Sequence, residues 1–405
     1  MKLATHRELA LGMVFAALWF ANVGQTAWAG APNTLSAQEV QEGWLLLFDG
    51  ETLFGWKPAT KANWRVGDAA IRSDQGEPGL LCTTSSFADF VLKVDFRSPK
   101  GTTSGVLLRT DAKAAPEDAA RSGYEVSIAD PAEKSFPTGS LVKRMRCDRA
   151  ALRPDWQTFE ITAQGGRITV KLNGQQVLDY TDPQPIGRGM IGLRYRQGPI
   201  EFRNIKLKPL GLASIFNGRD LAGWKTYPQL KTVCSVTPEG WLRLQNGRGQ
   251  LESAGQFADF ILQLEVLVNG KGLNSGVFFR SIPGEIMNGY ESQIHNGYLH
   301  GDRSKPADAG TGAIFRRQNA RRVVPNDGEW FCKTILADGP HFAVWVNGYQ
   351  VTDWIDTRPE HENPRKGLRL QAGTIILQGH DPTTDFFFRN LRIAEMPKRA
   401  QTSER

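Results

Sequence analysis

The ordered part of this chain is written twice, and that constrains it more than any other feature. Phe48-Asp49-Gly50 with Gly55-Trp56-Lys57 returns 168 residues later as Phe216-Asn217-Gly218 with Gly223-Trp224-Lys225. The same order of landmarks then continues. Phe87-Ala88-Asp89-Phe90 matches Phe257-Ala258-Asp259-Phe260, Ser104-Gly105-Val106 matches Ser275-Gly276-Val277, and Gly123-Tyr124-Glu125 matches Gly289-Tyr290-Glu291. Thr138-Gly139 with Thr311-Gly312, Asn173-Gly174 with Asn347-Gly348, and Phe202-Arg203-Asn204 with Phe388-Arg389-Asn390 complete the series. A period this long is a whole domain rather than a solenoid turn. The chain therefore divides into units at about 43–210 and 211–396, with 397–405 expected to be a disordered tail.

Ahead of the first unit, Lys2 and Arg7 precede an apolar run from Leu9 to Ala21, and Ala27-Trp28-Ala29 offers small residues where a signal peptidase reads. Residues 1–29 are thus expected to be a signal peptide cut after Ala29, which makes the mature protein secreted or periplasmic. No later run is long enough to span a bilayer, so no membrane span is expected. The net charge of +7 dissolves on division: residues 30–210 hold 24 basic and 21 acidic side chains, residues 211–405 hold 23 and 20, so each half is +3. Nucleic acid is accordingly not expected as a partner. The one dense basic stretch, Arg316-Arg317 followed by Arg321-Arg322, is either a solvated loop or a contact for phosphate or an acidic sugar. Four cysteines allow Cys82–Cys147 and Cys234–Cys332 bridges, which remain optional, and their spacing supports no zinc site.

Within each unit, short alternating stretches are broken by Gly, Asn, Asp and Pro, with almost no helical periodicity. Phe260–Val268, Gly276–Arg280, Tyr290–His295, His341–Val346, Thr374–Leu377 and Phe386–Ile393 read as strands. Asn173-Gly174 and Asn347-Gly348 read as hairpin turns, because both central residues of a type I′ turn need positive φ. The expected class is all-β, a sandwich or jelly roll in each unit.

Alternation also sorts polar side chains onto faces. Along 290–295 it puts Glu291, Gln293 and His295 together; along 374–380 it puts Gln378 with His380; along 274–280 it aligns Gly276 with Arg280. A curved sheet presenting these groups suits sugar hydroxyls and proton transfer. The solvated face of an antiparallel sheet looks the same from sequence. Trp345, Trp354 and Tyr298 are candidate stacking platforms, with core packing the equal alternative. Five of the six histidines, His295, His300, His341, His361 and His380, fall in the second unit, and His6 lies in the leader. At the matching strand positions the first unit has Glu125, Ser127 and Ala129, then Arg194 and Arg196. Catalysis, if present, is expected in the second unit.

These motifs resemble the 3-keto-disaccharide hydrolase domain family, frequent in exported proteins of sugar-degrading bacteria such as Planctomycetes. The resemblance covers both units and is strongest in the second, through Asn274-Ser275-Gly276 with Arg280, Gly289-Tyr290-Glu291 with Gln293, Thr311-Gly312-Ala313-Ile314-Phe315, Glu329-Trp330 and Leu377-Gln378-Gly379-His380. It implies two tandem concanavalin A-like jelly-roll sandwiches acting on glycosides already oxidised to a ketone at C3. Such a ketone acidifies the C2 proton, so one base, one acid and a donor to the enolate oxygen suffice. The expected catalytic residues are His380, Glu291 and His295; Arg280, Gln293, Gln378 and Trp345 are expected to bind the oligosaccharide or 3-keto-glycoside. No resident cofactor is expected, and a divalent metal between Glu291 and His380 stays open. The rival class is a non-catalytic, lectin-like sugar binder, since fold alone does not decide function. An ordinary laminarinase-type glycosidase is disfavoured, because the expected Glu-x-Asp-x-x-Glu carboxylates are absent.

Overall fold

A computed structural model describes residues 31–111, 118–129, 135–147 and 153–397. The expected signal peptide and nearly all of the expected tail lie outside those residues. Each unit is a jelly-roll sandwich of an eight-stranded and a five-stranded antiparallel sheet. The strand Phe90–Arg97 shows why: Phe90, Leu92, Val94 and Phe96 are buried while their neighbours are half-buried, so one face of the pleat supplies the core. The expected hairpins form, with Asn173 and Gly174 at φ 51° and 82° and Asn347 and Gly348 at 48° and 74°.

In the second unit the smaller sheet runs in the order Trp224–Lys225, Gly249–Phe257, Gly373–Gly379, Ser275–Ser281, Tyr290–Ile294. Its first-unit counterpart runs Trp56–Pro58, Gly79–Phe87, Gly189–Gln197, Thr103–Thr110, Tyr124–Ala129. The registers match strand for strand. Leu107 faces Glu125 as Phe278 faces Glu291, and Arg194 faces Leu80 as Gln378 faces Gln250.

The repeated motifs are structural. Asp49 Oδ1 accepts the backbone N–H groups of Glu51 and Thr52, and Asn217 Oδ1 accepts those of Arg219 and Asp220. Asn204 and Asn390 adopt φ 49° and 53° beside strand irregularities and donate to Asp95 and Glu265.

The cysteines are all free. Cys82 sits with Leu80 and Leu107 in a small buried cluster on the smaller sheet, whereas Cys147 lies in the main core. Cys234 and Cys332 lie on strands four spacings apart, about 19 Å, too far to bridge.

The two sandwiches share apolar contact. Ile261, Leu336, Ala343 and Trp345 of the second unit join the first unit's core cluster, with Trp345 tilted against Phe87 at 6.5 Å. Arg188 reaches across to Asp259 at 2.7 Å and Asp338 at 3.2 Å. Among the described residues no helix is long and apolar enough to cross a membrane.

Candidate functional site

The outer face of the second unit's smaller sheet is lined by alternate residues of its strands: Gln250, Phe278, Glu291 and Gln378 point away from a core that holds Leu251, Val277, Tyr290 and Leu377. Above Phe278, Glu291 and Gln378 opens a cavity of about 520 Å³, lined also by Arg248, Met287, Phe315, Arg316, Arg317 and Arg365. Glu291 has room because its neighbour is glycine. A Cβ on Gly276 would stand 2.5 Å from Glu291 Oε1.

Burial pushes the Glu291 carboxyl up to about 7, and Asp308 adds to the rise while Lys333, Arg316 and Arg365 temper it. Lys333 comes from the opposite sheet. Its Nζ crosses the sandwich interior and donates to the backbone carbonyls of Ser292 and Gln293 at 2.8 and 2.7 Å. Burial holds its pKa well below the ordinary lysine value. Alternation along Trp330–Asp338 sets Lys333 inward with Phe331, Ile335 and Ala337, a pattern that the sequence itself carries. In the first unit the aligned residue is Phe159.

That unit resolves the same face differently. Glu125, aligned with Glu291, is in a buried ion pair with Arg194, the residue aligned with Gln378. Burial raises Glu125 as well, but Arg194 opposes the rise through charge and hydrogen bonding. Leu80, Cys82, Leu107 and Met190 form an apolar cluster beside this sheet. The second unit has no cation at that place. Gln378 Nε2 meets only the Met287 sulfur at 3.3 Å, and its Oε1 is buried without a partner.

Of the seven expected site residues, Glu291 and Gln378 line this cavity. His380 does not; it lies in an adjoining cavity of about 600 Å³ with Leu230, Lys231, Ile286 and Asp381, and the two cavities share Arg248. Its Nδ1 pairs with Asp381 at 2.8 Å. Gln293, on the edge strand, and His295, just past its end, fall outside the cavity. The Gln293 amide donates to Asp308, while His295 folds over Gly297 and its Nδ1 has no partner.

Two expectations are corrected. Arg280 is fully buried and donates to the carbonyls of Ala258, Gly339 and Arg369 and to Asp259. Arg109 makes the corresponding bonds in the first unit, to Ala88, Gly165, Ile186 and Asp89. Both arginines sit at positive φ, 47° and 51°, which turns the side chain off the sheet face and into the fold as a clamp. Trp345 is 1% exposed and packs between the units, outside the cavity. The histidines also disperse. His341 pairs with Asp353, and His361 accepts the Asn363 backbone N–H within a loop. Among the described residues no three or more His, Cys, Asp or Glu side chains gather to hold a metal ion.

The cavity combines one raised carboxyl, the Gln378 amide and a guanidinium rim, a lining suited to a polyhydroxylated ligand. Similar folded chains have been solved. A candidate glycosyl hydrolase from Parabacteroides distasonis is 20% identical, with 45% of this chain covering all of that one at a TM-score of 0.39. A carbohydrate-binding module from Bacillus subtilis is 18% identical, with 38% of this chain covering 94% of it at 0.32. A Bacillus subtilis protein with a galectin-like fold is 16% identical, with 44% covering 94% at 0.32. No curated protein matches the sequence. Residues 43–208 and 211–394 each match the 3-keto-alpha-glucoside-1,2-lyase-like domain, and with both sandwiches so accounted for, the chain belongs to that family as a tandem pair of its domains.

Proposed function

We propose that this carbohydrate-active protein cleaves 3-keto-glycosides in its second unit, with Glu291 removing the C2 proton. One observation carries the reading: the same glutamate is locked by Arg194 in the first unit but faces an open cavity in the second, with its pKa pushed up to about 7. A carboxylate of that basicity accepts a proton near neutral pH far better than an ordinary one. The C2 proton passes to Glu291 and its electron pair enters a C2–C3 enolate, whose oxygen is held by the Gln378 amide. The enolate then collapses to the ketone, a C1–C2 double bond forms and the C1–O bond breaks, the departing oxygen taking a proton. Water added across that double bond gives net hydrolysis. His380, paired with Asp381 in the adjoining cavity, is the acid for the leaving group.

The test is release of nitrophenol from a p-nitrophenyl 3-keto-glucoside by the full chain. Glu291→Gln should lower turnover by about 10²–10⁴-fold, the usual weight of a general base. The paired change Glu125→Gln with Arg194→Gln, which removes the first unit's ion pair without stranding a charge, should leave turnover intact. Turnover that follows the first-unit change instead would reverse the assignment. The second reading, sugar binding without cleavage, is favoured by His380 lying outside the main cavity, where Glu291 stands without a second proton-transfer partner. Glycoside binding with no nitrophenol released at any pH would select it.

A further inference from the structure

We propose that the second unit's cavity takes an anionic glycoside, one bearing a carboxylate or a sulfate, with Arg317 and Arg365 gripping the anion at the rim. The proposal rests on the reading of this cavity as a sugar site and deepens it. Four guanidinium groups, Arg248, Arg316, Arg317 and Arg365, line the cavity against the single carboxyl of Glu291, a local balance of 4 − 1 = +3 even when Glu291 is ionised. None of the four makes an ion pair among the described residues. Arg317 donates to the backbone carbonyls of Arg316 and Arg365 at 3.4 and 3.2 Å, and Arg365 to that of Met287 at 2.6 Å. Arg316 lies over the Phe315 ring at 5.4 Å.

The first unit shows that this charge was set free. The turn that presents these arginines is the same in both units: Leu141 bridges Met145 and Ile314 bridges Gln318, while Lys143 and Arg316 sit at φ 63° and 59°. Arg144, aligned with Arg317, is neutralised by Asp182 at 2.8 Å, and Asp182 also accepts the Tyr124 hydroxyl. In the second unit the corresponding carboxylate, Asp356, accepts the Tyr290 hydroxyl but is taken through both oxygens by Arg358. Arg317 is therefore left facing the cavity without an ion-pair partner; partial burial, Arg358 and Arg316 weaken its hold on the proton, while Asp356 and Tyr290 strengthen it. A guanidinium fork with no carboxylate partner matches a carboxylate or sulfate bidentately, and a rim of one sign attracts such ligands from solution.

The experiment is calorimetric binding of methyl glucoside, methyl glucuronide, methyl glucoside 6-sulfate and inorganic sulfate to the full chain at low salt. One of the two anionic glycosides should bind at least about tenfold tighter than the neutral one, and which of them does so identifies the carboxylate or the sulfate as the natural group. That preference should fall below about threefold in about 0.5 M salt, where exposed charges are screened. It should fall likewise in Arg317→Gln with Arg365→Gln, both exposed positions, with melting temperature confirming the fold. Equal binding of neutral and anionic glycosides overturns the proposal, as does a preference that survives the double variant or inorganic sulfate binding as tightly as the sulfated sugar. Failure of the sugar-site reading looks different: no glycoside binds at all. Loss of the cleavage reading is separate again, since it is read from nitrophenol release and leaves these affinities untouched.

Discussion

Glu291 and Glu125 are one position in two copies of one fold, and the residue across the sheet decides what each can do. Arg194 gives Glu125 a counter-charge in a dry setting, whereas Gln378 gives Glu291 none. The resulting shift has a signed consequence. Because burial raises the Glu291 pKa above its unfolded value to about 7, the folded state holds an extra proton between about pH 4.5 and 7, and stability falls as pH rises through that window. Glu291→Gln should therefore stabilise the protein at pH 8, by on the order of 2 kcal/mol, and leave it nearly unchanged at pH 4. Denaturant melts of both proteins at the two pH values measure this, and equal differences at both would refute the raised pKa. Sequence alternation found Glu291 and Gln378 because both project from strand interiors, where side-chain direction follows parity. It misassigned Arg280, because a residue at positive φ leaves the alternating pattern altogether.

At the level of the strand, the smaller sheet makes its site by pairing a bulky polar residue with a missing side chain. Gly276 lies against the Glu291 side chain, and Gly105 against Glu125, so the glycine in the Ser-Gly-Val motif is required by a close approach and not by a turn. Gly276→Ala would bring a methyl group within 2.5 Å of Oε1 and 2.8 Å of Cγ. We expect turnover of the 3-keto substrate to fall more than about tenfold, as misplacement of a reacting group does, with little change in melting temperature. Unchanged turnover would mean that the position of Glu291 is not held by this contact. Element by element, the strands and both Asn-Gly turns were legible because alternation and the positive-φ demand are local. The cavity walls were not: Arg248, Met287, Phe315 and Arg365 come from loops far apart in sequence and meet only through the sheet order.

Over the whole molecule, the duplicated sandwiches are not two independent beads. Trp345 and Phe87 pack together inside one apolar cluster, Arg188 answers two aspartates of the other unit, and Arg321 of the second unit pairs with Asp49 of the first at 2.8 Å. Phe87→Ala should cost about 3–5 kcal/mol, a core truncation, and should lower the melting transition of the entire chain. A loss confined to the first unit's transition would show that the units do not support one another. A second unit expressed alone exposes Trp345, Ile261 and Leu336, so activity is best measured in the intact protein. By itself the sequence determined the duplication, the all-β class and the strand face that Glu291 and Gln378 share, since each depends on repetition or on neighbours a few residues apart. Only the tertiary structure decided which polar residues are clamps, which tryptophan is an interface, and which arginines are left without a carboxylate, because those outcomes depend on partners brought together across sheets and between units.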